Sequence, residues 1–185
     1  ENFQRTGSFK IRGATNRIAT LSADERDAGV VTASAGNHAQ GVALAATRAG
    51  VDSTIVMPEF APISKVNATK RYGGRVVLHG VDYSEAQAKA HEIEREEGRT
   101  YVHAFDDPAV MAGQGTLGLE IVEQCPDVET VVVGIGGGGL ISGIATAVKA
   151  QSPDTRVVGV QAEGASSLAD SLQKGEIVEL DAVDT

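Results

Sequence analysis

Four consecutive glycines at residues 136–139 stand between an apolar run at residues 130–135 and an apolar helical pattern that begins at Leu140. An uninterrupted apolar run is typical of a parallel strand that is buried on both faces. A parallel strand reaches its neighbour through a crossover connection, which is usually a helix. The order strand, glycine turn, helix therefore predicts one unit of an α/β fold.

The same alternation of strands and helices continues through the rest of the chain. It predicts an α/β fold in which mostly parallel sheets are covered by helices. Three glycines inside one predicted helix indicate close packing or a functional approach. We predict strands at residues 29–33, 53–57, 75–79, 100–103, 130–135 and 156–161. We predict helices at residues 8–20, 62–72, 84–97, 108–124, 140–150 and 166–173, a capped short helix from Ser22 to a stop at Gly29, and an Ala-rich helix ending at Arg48.

The charge and cysteine content narrow the range of partners. The net charge of −9 argues against nucleic acid and anionic membranes. No apolar run reaches the length that crosses a membrane. The single cysteine, Cys125, cannot form an internal disulfide, so we expect a cytoplasmic protein. Three histidines, His79, His91 and His103, are not spaced as metal ligands, and we expect no bound metal.

Lys10 is the first candidate for covalent chemistry. It lies between Phe9 and Ile11 at the start of a predicted helix. Burial disfavours the ammonium form, and a neutral amine can attack a carbonyl group. A lysine of this kind forms a Schiff base and requires a carbonyl cofactor. The alternative is an ordinary lysine whose stem is covered while its ammonium reaches solvent.

The glycine turn is a candidate anion site, because glycines allow close backbone approach and the following helix offers unpaired N–H groups. Gly134, Gly136 and Gly139 also satisfy the dinucleotide pattern G-x-G-x-x-G, with Glu163 near the position of a ribose-binding acid. Four consecutive glycines, in contrast, suit a loop around a single phosphate. A dinucleotide, a single phosphate and a plain tight turn stay open on these residues alone.

A second turn from strand to helix lies at residues 34–38. Ser34 can cap the helix that follows, which is a purely structural role. Asn37 can donate from its amide to a phenolate or carboxylate oxygen, and the N–H groups of Ala35 and Gly36 are expected to face the same space. His38 is expected to be structural on these grounds. The turn is therefore a candidate ligand site beside its capping role.

Four short motifs occur together along the chain: Thr6-Gly7-Ser8-Phe9-Lys10 with Arg12-Gly13-Ala14, residues 34–38 followed by Ala39-Gln40-Gly41, Ala112-Gly113-Gln114-Gly115-Thr116, and the glycine run followed by Leu140-Ile141-Ser142-Gly143. This combination resembles the threonine dehydratases (threonine ammonia-lyases), pyridoxal-phosphate enzymes of the tryptophan-synthase-β-like group with fold type II. The resemblance covers essentially the whole chain, and its specificity comes from the joint occurrence of the motifs.

The resemblance implies roles for three of the four motifs. Lys10 is the catalytic residue and holds pyridoxal 5'-phosphate as the Schiff-base lysine, while Asn37 contacts the 3' oxygen of the cofactor. The implied reaction converts L-threonine to 2-oxobutyrate and ammonia, and L-serine to pyruvate and ammonia. The residues implied to bind the cofactor phosphate are Gly136, Gly137, Gly138, Gly139 and Leu140. The residues implied to bind the substrate carboxylate are Ser34, Ala35, Gly36, Asn37 and His38.

Some residues distinguish among members of this group. Serine racemases carry a serine at the position of Ala35 as an acid and base, and alanine has no proton to exchange. The racemase-like metal positions are Gln161 and Ser167, where carboxylates would suit a hard cation better. Cysteine-synthase relatives use a threonine within the phosphate loop. The alternatives are a serine racemase or another fold type II β-eliminase, a nicotinamide-dependent oxidoreductase built on the glycine turn and Glu163, and a non-catalytic binding module.

The resemblance also implies a two-lobed organisation. We expect residues 1–27 and 129–185 to form a large-domain portion and residues 28–128 to form a small domain. We expect the active site in the cleft between these lobes. We expect family segments before Glu1 and after Thr185, including the residue that faces the cofactor ring nitrogen. The complete protein is expected to be a homo-oligomer with an amino-acid substrate and a role in amino-acid metabolism, with isoleucine biosynthesis as its pathway.

Overall fold

The computed structural model describes residues 1–180 and consists of two compact units, Glu1–Gly113 and Gln114 onward. Residues 181–185, at the end of the predicted large-domain portion, lie outside the described residues. The α/β fold with parallel sheets is confirmed. The strands are β1 (Val30–Ala33), β2 (Ser53–Met57), β3 (Arg75–Leu78), β4 (Thr100–Tyr101), β5 (Thr130–Gly134) and β6 (Arg156–Val160). The helices are α1 (Lys10–Ala19), α2 (Ala23–Ala28), α3 (Asn37–Ala49), α4 (Ile63–Arg71), α5 (Tyr83–Glu97), α6 (Pro108–Gln124), α7 (Gly139–Gln151) and α8 (Ser167–Lys174), with a 3-10 turn at Glu163–Ala165.

The first unit contains a four-stranded parallel sheet in the order β3-β2-β1-β4. Every residue of β1 and β2 is buried, because helices cover both faces of the sheet. Val30 in β1 packs with Ile11 of α1 and Val42 of α3 on one face. Val31 packs with Ala90 of α5 on the other face. The alternating side chains of one strand thus join two separate apolar clusters.

Helix α1 lies directly against α3, and Gly41 determines how close the two backbones come. A Cβ atom at Gly41 would be 3.1 Å from the carbonyl carbon of Lys10, which is tighter than nearly all such contacts. In α6, Gly113 has a similar role, because a Cβ atom there would be 2.6 Å from the carbonyl oxygen of Arg12. Close packing therefore explains these glycines and holds the beginning of α1 in place.

The second unit contains β5 and β6 as a parallel pair, with α6 and α7 on one face. Val131 and Val133 of β5 are buried with Ile144 of α7. Alternate residues point the other way, and Val132 is 63% exposed. The prediction that this strand is buried on both faces is therefore wrong for the described residues, because the helices cover only one face.

Most predicted elements are confirmed within a few residues. The capping box at Ser22 and Glu25 is present, since each side chain accepts the backbone N–H of the other residue. The strand at residues 100–103 is shorter than predicted and ends at Tyr101. The Val102 N–H still donates to Val31, but the Val102 carbonyl accepts from the side chains of Thr32 and His38. The division of the chain into residues 1–27 with 129–185 and residues 28–128 stays a prediction. Within residues 1–180, none of the helices has the length and apolar character needed to cross a membrane.

Candidate active site

Lys10 is the first residue of α1, and its side chain is half-buried. Its Nζ atom donates to the carbonyl oxygen of Ala104 at 2.6 Å and lies 5.3 Å from the centre of the Phe9 ring. Within residues 1–180, Lys10 has no carboxylate at ion-pair distance. Burial lowers the pKa of Lys10 below its ordinary value, because the ammonium loses hydration. The amine is therefore easier to deprotonate than that of a solvated lysine.

The chain that follows β4 carries the acceptor for Lys10 and is held at its beginning by side chains. The carbonyl oxygen of Val102 accepts from Thr32 Oγ1 at 2.8 Å and is 3.0 Å from His38 Nε2. His38 is buried, and this burial lowers its pKa from the ordinary 6.5 to about 4. The imidazole is therefore neutral at pH 7, and its Nε2–H is the donor to Val102.

The other end of this segment is fixed to α1. Asp107 accepts from the Nε atom of Arg17 at 3.0 Å. The second carboxylate oxygen of Asp107 accepts the N–H groups of Ala109 and Val110 at the start of α6. Asn16 donates from Nδ2 to the carbonyl oxygen of Ala109 at 2.7 Å. Contacts with α1, β1 and α3 thus hold both ends of the segment that faces Lys10.

The turn at residues 34–38 joins β1 to α3. Ser34 Oγ accepts the N–H groups of Gly36 at 3.2 Å and of Ala39 at 3.3 Å. The N–H of Gly36, expected to face a ligand, is thereby engaged within the turn. Ser34 thus binds one N–H group in the first turn of α3, as predicted, although the residue at the N-cap position is Gly36. Asn37 begins α3, and its exposed side chain makes no hydrogen bond to the described residues. The amide of Asn37 is thus free to bind a ligand, whereas the His38 ring is buried against Val102.

The glycine turn joins β5 to α7. Gly138 has φ +83, in the left-handed region that favours glycine, and precedes α7 without a side-chain cap from a described residue. At Gly136 a Cβ atom would have no described heavy atom within 4 Å. The fold of the described chain therefore requires a glycine at 138 but leaves open space at 136. The first N–H groups of a helix have no partner within the helix, so this turn can bind an anion.

The positions compared with a racemase-like metal site have a structural role here. Gln161 Oε1 accepts the N–H of Ala169 at 3.1 Å and so fixes the first turn of α8. Ser167 is the first residue of the same helix. No cluster of three or more His, Cys, Asp or Glu side chains suitable for a metal occurs in the part of the chain that the structure describes.

Sequence reasoning identified Lys10 but missed the backbone carbonyls of Val102 and Ala104. A carbonyl group is present in every residue, so composition and spacing contain no signal for it. Thr32 and His38 could have indicated a nearby acceptor such as the Val102 carbonyl, because a buried hydroxyl and a buried ring each require a hydrogen-bond partner.

Comparison with known proteins identifies the family. A family model for pyridoxal-phosphate dependent enzymes matches residues 1–185, and the chain belongs to this family. It is 57% identical over 175 residues to an L-threonine ammonia-lyase of Thermotoga maritima, covering 95% of this chain and 44% of the relative.

Solved structures agree with this family. The processed form of threonine deaminase isoform 2 from Solanum lycopersicum has a TM-score of 0.98 and 49% identity, covering 100% of this chain and 51% of that one. Maize serine racemase has a TM-score of 0.96 and 41% identity, covering 100% of this chain and 56% of that one. The chain spans about half the length of the relatives that it matches.

The described residues fit the cofactor of this family. Pyridoxal phosphate has an aldehyde and a phosphate, which need an amine and a set of N–H donors. Lys10 provides a half-buried amine that has a carbonyl partner instead of a carboxylate. The glycine turn provides a helix amino terminus with open space at Gly136. The family match also favours a single phosphate over the dinucleotide alternative.

Proposed function

We propose that this chain carries the centre of a pyridoxal-phosphate dependent ammonia-lyase that converts L-threonine to 2-oxobutyrate and ammonia. L-Serine would give pyruvate and ammonia by the same reaction. The observation that carries the proposal is the Lys10 amine, which is half-buried, donates to the Ala104 carbonyl and has a lowered pKa. The similarity to named threonine ammonia-lyases and deaminases supports the choice of substrate.

Lys10 has two tasks in this proposal. Its Nζ atom attaches the cofactor covalently, and once released it accepts the proton from the α-carbon of the substrate. Both tasks require a neutral amine, which the lowered pKa favours. When bound, the cofactor supplies an electron sink for the electrons that the α-carbon retains.

Two of the turns from strand to helix, those before α3 and α7, would bind the charged groups. The N–H groups at Gly136, Gly137, Gly138, Gly139 and Leu140 would bind the cofactor phosphate through the amino end of α7. The turn at residues 34–38 would bind the substrate carboxylate. Asn37 would donate to the 3' oxygen of the cofactor, and its free exposed amide supports this role.

A lyase is favoured over a racemase by Ala35. Racemisation needs a second acid and base on the opposite face of the substrate, and a methyl group has no exchangeable proton. Maize serine racemase shares the fold at 41% identity, so Ala35 rather than the fold supports the choice.

The test is keto-acid release by the full gene product from L-threonine, L-serine and their D-isomers, with added pyridoxal phosphate. We expect release from the L-isomers only, and loss of release in Lys10→Ala. Lys70→Ala changes an exposed lysine of α4 and is the matched control. Release that survives in Lys10→Ala, or D-serine formed from L-serine, would contradict the proposal.

We further propose that the complete protein is a cytoplasmic homo-oligomer. The exposed Cys125, which forms no disulfide, supports a reducing compartment. Light scattering of the full gene product measures the oligomeric state. The link to isoleucine biosynthesis stays a prediction.

A further inference from the structure

His103 organises the short stretch of backbone that faces Lys10. Its Nδ1 atom accepts the N–H of Asp106 at 2.7 Å and the N–H of Phe105 at 3.3 Å. An Nδ1 atom that accepts two N–H groups carries no proton, so the ring is neutral with its proton on Nε2. The ring also packs edge-on against Phe105, with ring centres 4.6 Å apart.

One peptide plane connects His103 to Lys10. The carbonyl of Ala104 and the N–H of Phe105 belong to the same planar peptide group, in which they point in opposite directions. The N–H side of this plane donates to His103, while the carbonyl side accepts from Lys10 Nζ at 2.6 Å. Fixing the N–H therefore fixes the direction of the carbonyl.

The other side-chain contacts of this segment do not fix the orientation of the Ala104–Phe105 peptide. Val102 is held by Thr32 and His38, and Asp107 is held by Arg17. These contacts fix the two ends of the segment but leave the rotation of the 104–105 peptide free. Apart from the bond of Lys10 itself, the side-chain bond that the described residues show at this peptide is that of His103 Nδ1 to the Phe105 N–H. The second bond of His103 Nδ1 holds the next N–H, that of Asp106.

We propose that His103 is a positioning residue for Lys10, which it serves by holding the Ala104 carbonyl against the lysine amine. The proposal rests on the function proposed above, because it gives that carbonyl a task in presenting the reactive amine. The role requires an acceptor at Nδ1 and does not require an aromatic ring.

Burial, rather than the surrounding charges, favours the neutral ring of His103. Burial lowers its pKa, as do the positive charge of Lys10 and the neighbouring His91, whereas Asp106 and Asp107 raise it. The acceptor at Nδ1 is therefore retained at neutral pH and lost only on acidification.

Two substitutions separate the acceptor from the ring. His103→Asn keeps an acceptor, since Asn side chains commonly bond backbone N–H groups two residues later. His103→Phe keeps the ring contact with Phe105 but has no acceptor. His79→Phe changes an exposed histidine and is the matched control.

The main readout is the pKa of Lys10, measured by competitive acetylation of the cofactor-free full gene product. The Ala104 carbonyl stabilises the ammonium of Lys10. Losing this hydrogen bond while the site stays buried would therefore lower the pKa of Lys10 further. We expect His103→Phe to lower the pKa of Lys10 by about half a unit or more, a threefold change in neutral amine. We expect no change in His103→Asn or His79→Phe.

A second readout is hydrogen exchange of the peptide that carries residues 103–106. We expect faster exchange in His103→Phe and unchanged exchange in His103→Asn. Nitrogen NMR of the wild-type protein would show an unprotonated, hydrogen-bonded Nδ1 on His103, and this requires no variant to fold. An Nδ1–H tautomer, an unchanged Lys10 pKa in His103→Phe, or equal changes in both variants would overturn the proposal.

None of these readouts uses the cofactor or the substrate. If Lys10 responds to His103 as expected but threonine yields no keto acid, the positioning role stands and the proposed function fails. If keto acid is released but the Lys10 pKa ignores His103, the proposed function stands and this inference fails.

Discussion

Two of the turns that lead from a parallel strand into a helix, those before α3 and α7, are built in opposite ways. The turn before α3 uses side chains, because Ser34 accepts two N–H groups and the His38 ring bonds the Val102 carbonyl. The turn before α7 uses glycine backbone, with Gly138 in the left-handed region and no side-chain cap from a described residue.

The difference indicates that the two turns suit different kinds of ligand group. A turn held by its own side chains keeps its shape without a ligand, so its remaining amide, Asn37, can select for a particular oxygen. A turn of glycines has bare N–H groups and open space, so it suits a bulky anion that any side chain would obstruct.

The largest effect is expected at Gly138. Replacing it with alanine forces a side chain into the left-handed region, at a cost of about 1–2 kcal/mol, and displaces the N–H groups of the turn. Gly175→Ala is the control, because Gly175 has φ +73 and no described atom near its Cβ position. We expect Gly138→Ala to weaken pyridoxal-phosphate affinity about 100-fold in equilibrium dialysis, or about 2.7 kcal/mol. Equal affinities in both variants would show that the glycine turn binds no phosphate.

The second effect is the response of the side-chain turn to acid. The pKa of His38 is about 4 in the folded protein against 6.5 ordinarily, so the unfolded chain binds its proton first as the pH falls. The neutral His38 ring makes its full contribution to the free energy of unfolding above pH 6.5. This contribution declines below pH 6.5 and is about 2 kcal/mol smaller at pH 5. Urea unfolding of the wild type and of His38→Asn at pH 7 and at pH 5 isolates the contribution of His38 to the pH dependence of stability. An equal pH dependence in the two proteins would contradict burial of a neutral His38.

The third effect separates binding from stability at Asn37. Its side chain has no hydrogen-bond partner among the described residues, so Asn37→Ala is expected to change the free energy of unfolding by less than about 0.5 kcal/mol. We expect kcat/KM for threonine to fall about tenfold, or about 1.4 kcal/mol, because a bond to a charged oxygen is lost. Asn67→Ala, at an exposed position of α4, serves as control. A stability loss with unchanged kcat/KM would assign Asn37 to the fold alone.

The smallest effect compares the two helix starts directly. Ser34→Ala removes an acceptor for two N–H groups and is expected to cost about 1 kcal/mol of stability. Ser142→Ala, in the first turn of α7, is expected to cost nothing measurable, because that hydroxyl bonds no described residue. Thermal unfolding of both variants measures the difference, and equal losses would remove the distinction between the turns.

The fold could be predicted from sequence because strand and helix periods alternate clearly and punctuating residues mark the ends. The capping box at Ser22 and the strand at residues 53–57 were predicted correctly. The burial of β5 could not be predicted, since an apolar run does not reveal whether one face or two are covered.

The candidate site was predictable only as far as its side chains. Lys10, Asn37 and the glycine run stand out by type and neighbours. The Ala104 carbonyl does not, because its position depends on where β4 ends and on a hydrogen bond across 94 residues. Contacts of that separation follow from packing and carry no local signal.

Lys10 can be tested as the attachment site by reducing the full gene product with borohydride in the presence of pyridoxal phosphate and mapping the modified peptide. We expect the pyridoxyl group to be attached to Lys10 and to no other lysine. A label on a different lysine, or no label, would contradict this expectation.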